Sequence, residues 1–170
     1  SIGTLAAIAS NRLPGREIFL SDVNKDRLTL VCKLTGATPV DISLFDQFKF
    51  NTKKPIRHVL DTTGNVGVIS DFVSKLNGCN LGLVGIGCGN LELDPVHLVE
   101  REISLIGCHA FSDELPNAVD LLKQKPDLFQ SIISLKISLE ETPSAYQKII
   151  GGKTSGIKTL ISINTEAGMP

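Results

Sequence analysis

The chain of 170 residues has no tryptophan, a single tyrosine and a single methionine. Seven phenylalanines carry almost all of the aromatic surface, so aliphatic packing must supply the core. An excess of one charge is also missing: 17 Lys and Arg stand against 18 Asp and Glu, a formal net charge of −1. Binders of a polyphosphate backbone usually carry a basic surplus, so nucleic acid is not expected as a partner. No apolar run approaches the ~20 residues of a membrane helix, and no membrane partner is expected either. Ser1-Ile2-Gly3 leads into a short apolar stretch without a basic flank, which argues against a secretory signal. The cysteines Cys32, Cys79, Cys88 and Cys108 form no C-x-x-C pair and have no histidine at ligand spacing. Their apolar neighbours suit reduced, buried thiols, which argues against a structural zinc site and more strongly against a disulfide framework. A cytoplasmic protein is the expectation.

What is present is a 42% hydrophobic chain with 15 glycines, many of them closing apolar runs. That fraction supports a buried core and excludes wholesale disorder, and 170 residues make one domain or one domain with a subdomain attached. Aliphatic runs alternate with stretches of helical period. The segment 4–11 reads as a helix ended by Leu13-Pro14-Gly15, and 17–21 as a buried strand reaching Asp22. From Asn24 onward Leu28, Val31, Cys32 and Leu34 share one helical face that stops at Gly36. A short strand is expected at 38–41, while the polar segment 43–55 has no legible form. The unit then repeats: strand 58–61, a turn at 62–65, and a helix with Val66, Ile69, Phe72, Val73 and Leu76 on its face. A strand over 81–86 follows, then a helix opened by Asp94-Pro95, a strand over 102–108, and a helix marked by Leu115, Ala118, Val119 and Leu122.

Strand–helix alternation of this kind predicts parallel strands joined by right-handed crossovers: an α/β, doubly wound, Rossmann-like sheet. After Lys125-Pro126 the rhythm breaks. A strand at 134–139, a helix over 144–150 capped by Thr142 with Pro143 in its first turn, and a strand at 157–163 read as a small C-terminal α+β appendage. The expected division is 1–130 for the sheet domain and 131–170 for the appendage.

The strongest local chemistry is Gly3, a helix, a strand, and an acid at the end of that strand. Asp22 stands 19 residues after Gly3. Dinucleotide fingerprints place an acid about 20 residues beyond their glycine loop. Such a carboxylate accepts hydrogen bonds from both adenosine ribose hydroxyls, each charge-assisted bond contributing roughly 1.5–3 kcal/mol. It would repel a 2′-phosphate by about 4 kcal/mol per charge pair at 4 Å and an effective dielectric near 20. Asp22 therefore predicts NAD rather than NADP. Taken alone, a role as a helix cap before Asn24-Lys25 is an equal reading of the same residue.

Six segments in order decide between these readings: Ser1-Ile2-Gly3, the run from Ser21 to Leu28, Gly36-Ala37-Thr38, Asp61-Thr62-Thr63-Gly64-Asn65, Leu83-Val84-Gly85-Ile86-Gly87, and the run from Arg101 to Gly107. Together they resemble the coenzyme domain of zinc-dependent medium-chain alcohol and polyol dehydrogenases, nearest the sorbitol-dehydrogenase-like branch because of Leu93-Asp94-Pro95 and Arg101-Glu102. The resemblance implies Ile2 and Gly3 beneath the pyrophosphate, at a helix N-terminus whose free N–H groups attract an anion. It implies Asp22 and Arg27 at the adenosine ribose, Thr63 and Gly64 over the adenosine side, and Val84, Gly85 and Ile86 along the nicotinamide half. Cys108, His109 and Ala110 resemble the last coenzyme-contact stretch. His58 and His97 read as structural.

One departure bears on substrate. Ala110-Phe111 stands where polyol dehydrogenases tend to carry Arg-Tyr, which removes a guanidinium and a phenol from reach of substrate oxygens and favours a less polar alcohol. In the resembling enzymes a Cys, a His and an acidic residue of the preceding domain hold the zinc that polarises the alcohol oxygen during hydride transfer. This chain has no counterpart to them, begins inside the glycine motif and lacks the first strand, so it reads as a portion without catalytic or metal residues, inactive alone and binding NAD weakly. The alcohol substrate would be met through the missing domain. The strand at 102–108, with Ile103, Leu105 and Ile106, resembles the one that pairs across a two-fold axis, so a homodimer is expected. The alternative reading is a non-catalytic Rossmann-like module for nucleotide binding or oligomerisation. A zinc-free quinone reductase of the same superfamily is disfavoured, because those enzymes generally use NADPH.

Overall fold

The computed structural model describes residues 1–11, 14–41, 55–109, 113–154 and 156–163. Along them run α1 (Ile2–Ser10), β1 (Phe19–Leu20), α2 (Lys25–Thr35), β2 (Thr38–Pro39), β3 (His58–Asp61), α3 (Val66–Lys75), β4 (Asn80–Leu83), α4 (Pro95–Glu100), β5 (Ser104–Gly107), α5 (Leu115–Gln124), α6 (Pro126–Ser131), β6 (Ile133–Ile137), α7 (Thr142–Ile150) and β7 (Lys158–Ile161). Among the described residues every strand pair is parallel: β1 with β2, β4 between β3 and β5, and β6 with β7. Parallel neighbours need crossovers, and the helices between them provide these. The α/β class with parallel sheets is thus the observed one.

Two compact units divide the chain: one gathers Ser1, Gly3–Asp41 and Asp113–Pro170, the other Ile2 and Ile42–Ser112. In the first unit Ala7 and Ile8 of α1, Val31 of α2, Ile132 and Ile157 form one buried cluster, with Leu20, Leu30, Leu34, Leu128 and Phe129 packed on it. The Ser1 hydroxyl donates to the Ile157 carbonyl at 2.6 Å, tying the start of α1 to the strand region near β7. α2 begins where the spacing predicts. The Asn24 side chain accepts from the Arg27 N–H at 2.9 Å, and Gly36 closes the helix with φ 70°, a conformation that side chains with a Cβ resist.

In the second unit α3 lays Ile69 and Val73 against Leu81 of β4, the most buried large side chain there at 1% exposure. Full burial of one leucine contributes roughly 1.5–3 kcal/mol. Leu76, Cys79 and Ile103 extend this core, sharing Val59, Phe72, Leu98 and Leu105 with it. Asn65 caps α3 by accepting from the N–H groups of Gly67 and Val68, and Asp94 caps α4 by accepting from that of Val96 at 2.9 Å.

Several boundaries differ from the expectations, each for a local reason. β4 stops at Leu83 rather than reaching Ile86, because the N–H groups of Val84 and Gly85 both turn to the Asp61 carbonyl, at 2.9 and 3.1 Å. Lys125-Pro126, read as a break, instead starts α6, where proline at the first position forfeits no helical hydrogen bond. Thr142 is the first residue of α7, not its cap. Glu141 precedes it and exchanges bonds with Ser138, the Glu141 carboxylate accepting from the Ser138 N–H at 2.9 Å and the Ser138 hydroxyl from the Glu141 N–H at 3.3 Å. β1 keeps two residues of the five expected. Most of the segment 43–55 lies outside the described residues.

Candidate functional site

Carboxyl ends of parallel strands are where an open α/β sheet presents its loops to a ligand. In the first unit the loop after β1 carries Asp22. Its Oδ1 accepts from the Asn24 N–H at 2.8 Å, and its Oδ2 faces Nη1 of Arg27 at 3.4 Å. The cap of α2 is Asn24 rather than Asp22; Asp22 instead ties the turn before the helix, and the same carboxylate also meets the arginine that the resemblance puts beside it. Two bonds do not exhaust a carboxylate, which has about four lone-pair sites. Both side chains stay partly open, at 28% for Asp22 and 30% for Arg27. The Arg27 Nε is buried and has no hydrogen-bond partner among the described residues. Its guanidinium is thus held by one long contact and keeps donors to spare.

Gly3 lies in the first turn of α1 behind an exposed Ile2. The leading N–H groups of a helix have no partner within it and carry the positive end of its dipole.

In the second unit three strand ends stand side by side. After β3, Thr63 is exposed and Gly64 buried with φ 69°. After β4 come half-buried Val84 and Gly85, then Ile86 at 95% exposure. After β5 come Cys108 and His109, both exposed, with the Cys108 N–H on the Leu83 carbonyl at 2.9 Å. The structure brings Thr63 and Gly64 directly against Gly85, Ile86 and Gly87. A Cβ on Gly64 would lie 2.7 Å from the Ile86 carbonyl carbon, and one on Gly85 would lie 2.6 Å from that of Thr63. Ala110, and Phe111 beside it, lie outside the described residues. His58 and His97 are exposed on β3 and α4.

Asp61 was not among the expected site residues, although it organises this end. Only 3% exposed, it accepts at Oδ1 from the Thr63 hydroxyl at 2.6 Å and the Thr63 N–H at 3.2 Å, and at Oδ2 from the Gly64 N–H at 2.9 Å. Its signal in the sequence was an acid ending an aliphatic strand just before a hydroxyl residue and a glycine.

The donor sets suit a dinucleotide better than a metal. A carboxylate with spare acceptor sites, a guanidinium with spare donors and a helix N-terminus match ribose and phosphate groups. Among the described residues no group of three or more His, Cys, Asp or Glu could hold a metal ion, so a catalytic zinc does not fit here. Burial raises the Cys32 and Cys79 thiols above their usual range, which makes them poor ligands and nucleophiles. Nor, among the described residues, is any helix long and apolar enough to cross a membrane.

No family model matches the chain. Sorbitol dehydrogenase of Bacillus subtilis (strain 168) is 23% identical over 171 residues, 96% of this chain and 48% of that protein. Among solved structures, 2R,3R-butanediol dehydrogenase from Bacillus subtilis superposes with a TM-score of 0.81 at 21% identity, over 96% of this chain and 48% of its own. The alcohol dehydrogenase rspB from E. coli CFT073, complexed with NADH, superposes with a TM-score of 0.79 at 16% identity, over 95% and 49%. The chain spans about half the length of the curated relative it matches. It shares the fold of these dehydrogenases over that half.

Proposed function

We propose that the chain is the NAD-binding and dimerising portion of a zinc-dependent alcohol or polyol dehydrogenase, one that moves hydride from an alcohol to NAD. The observation that carries this reading is Asp22, at the carboxyl end of β1, with its carboxylate partly open and Arg27 at its side. In this reading Asp22 takes the two adenosine ribose hydroxyls, Arg27 lies along the same ribose, and Ile2 and Gly3 bring the start of α1 under the pyrophosphate. Thr63 and Gly64 cover the adenosine side. The backbone of Val84, Gly85 and Ile86 meets the nicotinamide carboxamide, with Cys108, His109 and Ala110 at the last contact. When bound, NAD supplies the acceptor for the hydride. The zinc and its ligands would belong to a preceding domain, as would the wall of the alcohol pocket. Residues 131–170 would pack on that domain, and 1–130 would form the nucleotide-binding part.

Dimerisation is supported by β5, which is an outer strand of its three-stranded sheet, with Ile106 47% exposed. An open apolar edge invites pairing with a copy of itself. Light scattering at micromolar concentration should return twice the chain mass; a monomer would count against this interface.

The test of the whole reading is the gene. Codons upstream of Ser1 should encode a Cys- and His-bearing domain, and the longer product should reduce NAD in the presence of an alcohol. A start codon directly upstream of Ser1, with no alcohol-dependent NAD reduction, would favour the non-catalytic module.

A further inference from the structure

Asp61 is the only charged residue in the buried class among the described residues, and its position has a use beyond packing. Its side chain and its main chain act on two different loops. The carboxylate holds the turn after β3 through both Thr63 donors and the Gly64 N–H. Its carbonyl accepts from Val84 and Gly85, at the end of β4. Thr63 passes the hold onward: its hydroxyl, while donating to Asp61, accepts from the Asn65 N–H at 3.0 Å, and Asn65 caps α3. The two loops meet backbone to backbone, and Gly64, Gly85 and Gly87 each leave no room for a Cβ against the facing chain. Contact that close tolerates no slack, so small shifts of the turn become collisions.

We propose that Asp61 is the positioning residue of this end of the second unit: it touches no cofactor, and it holds Thr63–Gly64 and Gly85–Gly87 in the one arrangement that meets a nucleotide. The proposal rests on the nucleotide-binding reading above. Both carboxylate oxygens are used as acceptors. An amide in the same place offers one acceptor and turns its NH2 toward an N–H group, either that of Thr63 or that of Gly64. Positioning by a buried, doubly engaged carboxylate pre-forms the site and removes ordering cost at binding.

The experiment uses the 170-residue chain, 15N-labelled, with amide exchange and NADH titration both followed by NMR. In Asp61→Asn the Gly64 amide should exchange at least about ten-fold faster, as expected for losing a charge-assisted bond, while the Leu81 and Val73 amides keep their native protection. NADH should shift the amides of 63–64 and 84–86 in the native chain and need several-fold higher concentration to do so in the variant. Thr63→Val, which leaves the carboxylate in place, should show the same change to a lesser degree, and Thr63→Ser should restore native behaviour. Native exchange at Gly64 in Asp61→Asn would overturn the proposal. So would acceleration spread equally to Leu81 and Val73, which marks an ordinary fold residue. Faster Gly64 exchange with an unchanged NADH titration would overturn the role in binding. If NADH leaves those amides of the native chain unmoved, the nucleotide reading fails, and the exchange data alone decide whether Asp61 ties the two loops.

Discussion

Gly64→Ala should be far more damaging than a surface alanine substitution, and the structure separates the two reasons. Gly64 has φ 69°, where a residue with a Cβ loses about 1–2 kcal/mol. The new Cβ would also sit 2.7 Å from the Ile86 carbonyl carbon and 2.9 Å from the Gly87 Cα, both backbone atoms that cannot swing aside. Overpacking of this kind costs about 1–3 kcal/mol. The two effects together give about 2–5 kcal/mol. Two other glycines isolate each part. Gly36 has φ 70° and nothing within 4 Å of its added Cβ, so Gly36→Ala should lose only the backbone share. Gly85 has no positive φ yet would press on Thr63, so Gly85→Ala should lose only the crowding share. Urea unfolding followed by far-UV circular dichroism reads all three variants. A Gly64→Ala chain no less stable than Gly36→Ala would refute the claim that the two loops are locked together.

Four further outcomes follow from particular side chains. Asp22→Asn should move selectivity toward NADPH by roughly 10- to 100-fold, less than the full Coulomb figure of about 4 kcal/mol because the group is partly solvated, and should lower stability by under about 1 kcal/mol. Competitive fluorescence titration with the two reduced nucleotides checks it, and unchanged selectivity rejects the assigned role. With a maleimide at neutral pH, exposed Cys88 and Cys108 should be labelled at once, half-buried Cys32 more slowly, and buried Cys79 only on unfolding. Burial raises the latter two thiols, so their share of stability is complete below the ordinary thiol range and is lost as pH rises through their higher folded values; stability insensitive to pH above about 9 would contradict this. Leu81→Ala should destabilise the second unit by about 2–5 kcal/mol in the same urea assay, and a change under about 1 kcal/mol would remove Leu81 from its core.

Much of the fold was legible because its signals are local. Asn24 and Gly36 bracket α2, Asn65 begins α3, and Asp94-Pro95 opens α4, each by a hydrogen bond or dihedral that a few adjacent residues determine. Positions that depend on distant backbone were not legible. The end of β4 is decided by the Asp61 carbonyl, some twenty residues earlier, and α6 hides behind a proline that can either stop or start a helix. The same distinction holds at the candidate site. Asp22 and Arg27 are five residues apart on one strand-to-helix turn, and their pairing is written in the spacing. Asp61 gains its importance from glycines on another loop, a meeting that only the folded chain reveals.

Determining the structure of this chain with NADH bound probes the cofactor assignment at its root. Both Asp22 oxygens should accept from the adenosine ribose hydroxyls, with the pyrophosphate at the start of α1. A ribose bound elsewhere, with Asp22 engaged only by Asn24 and Arg27, would contradict the account.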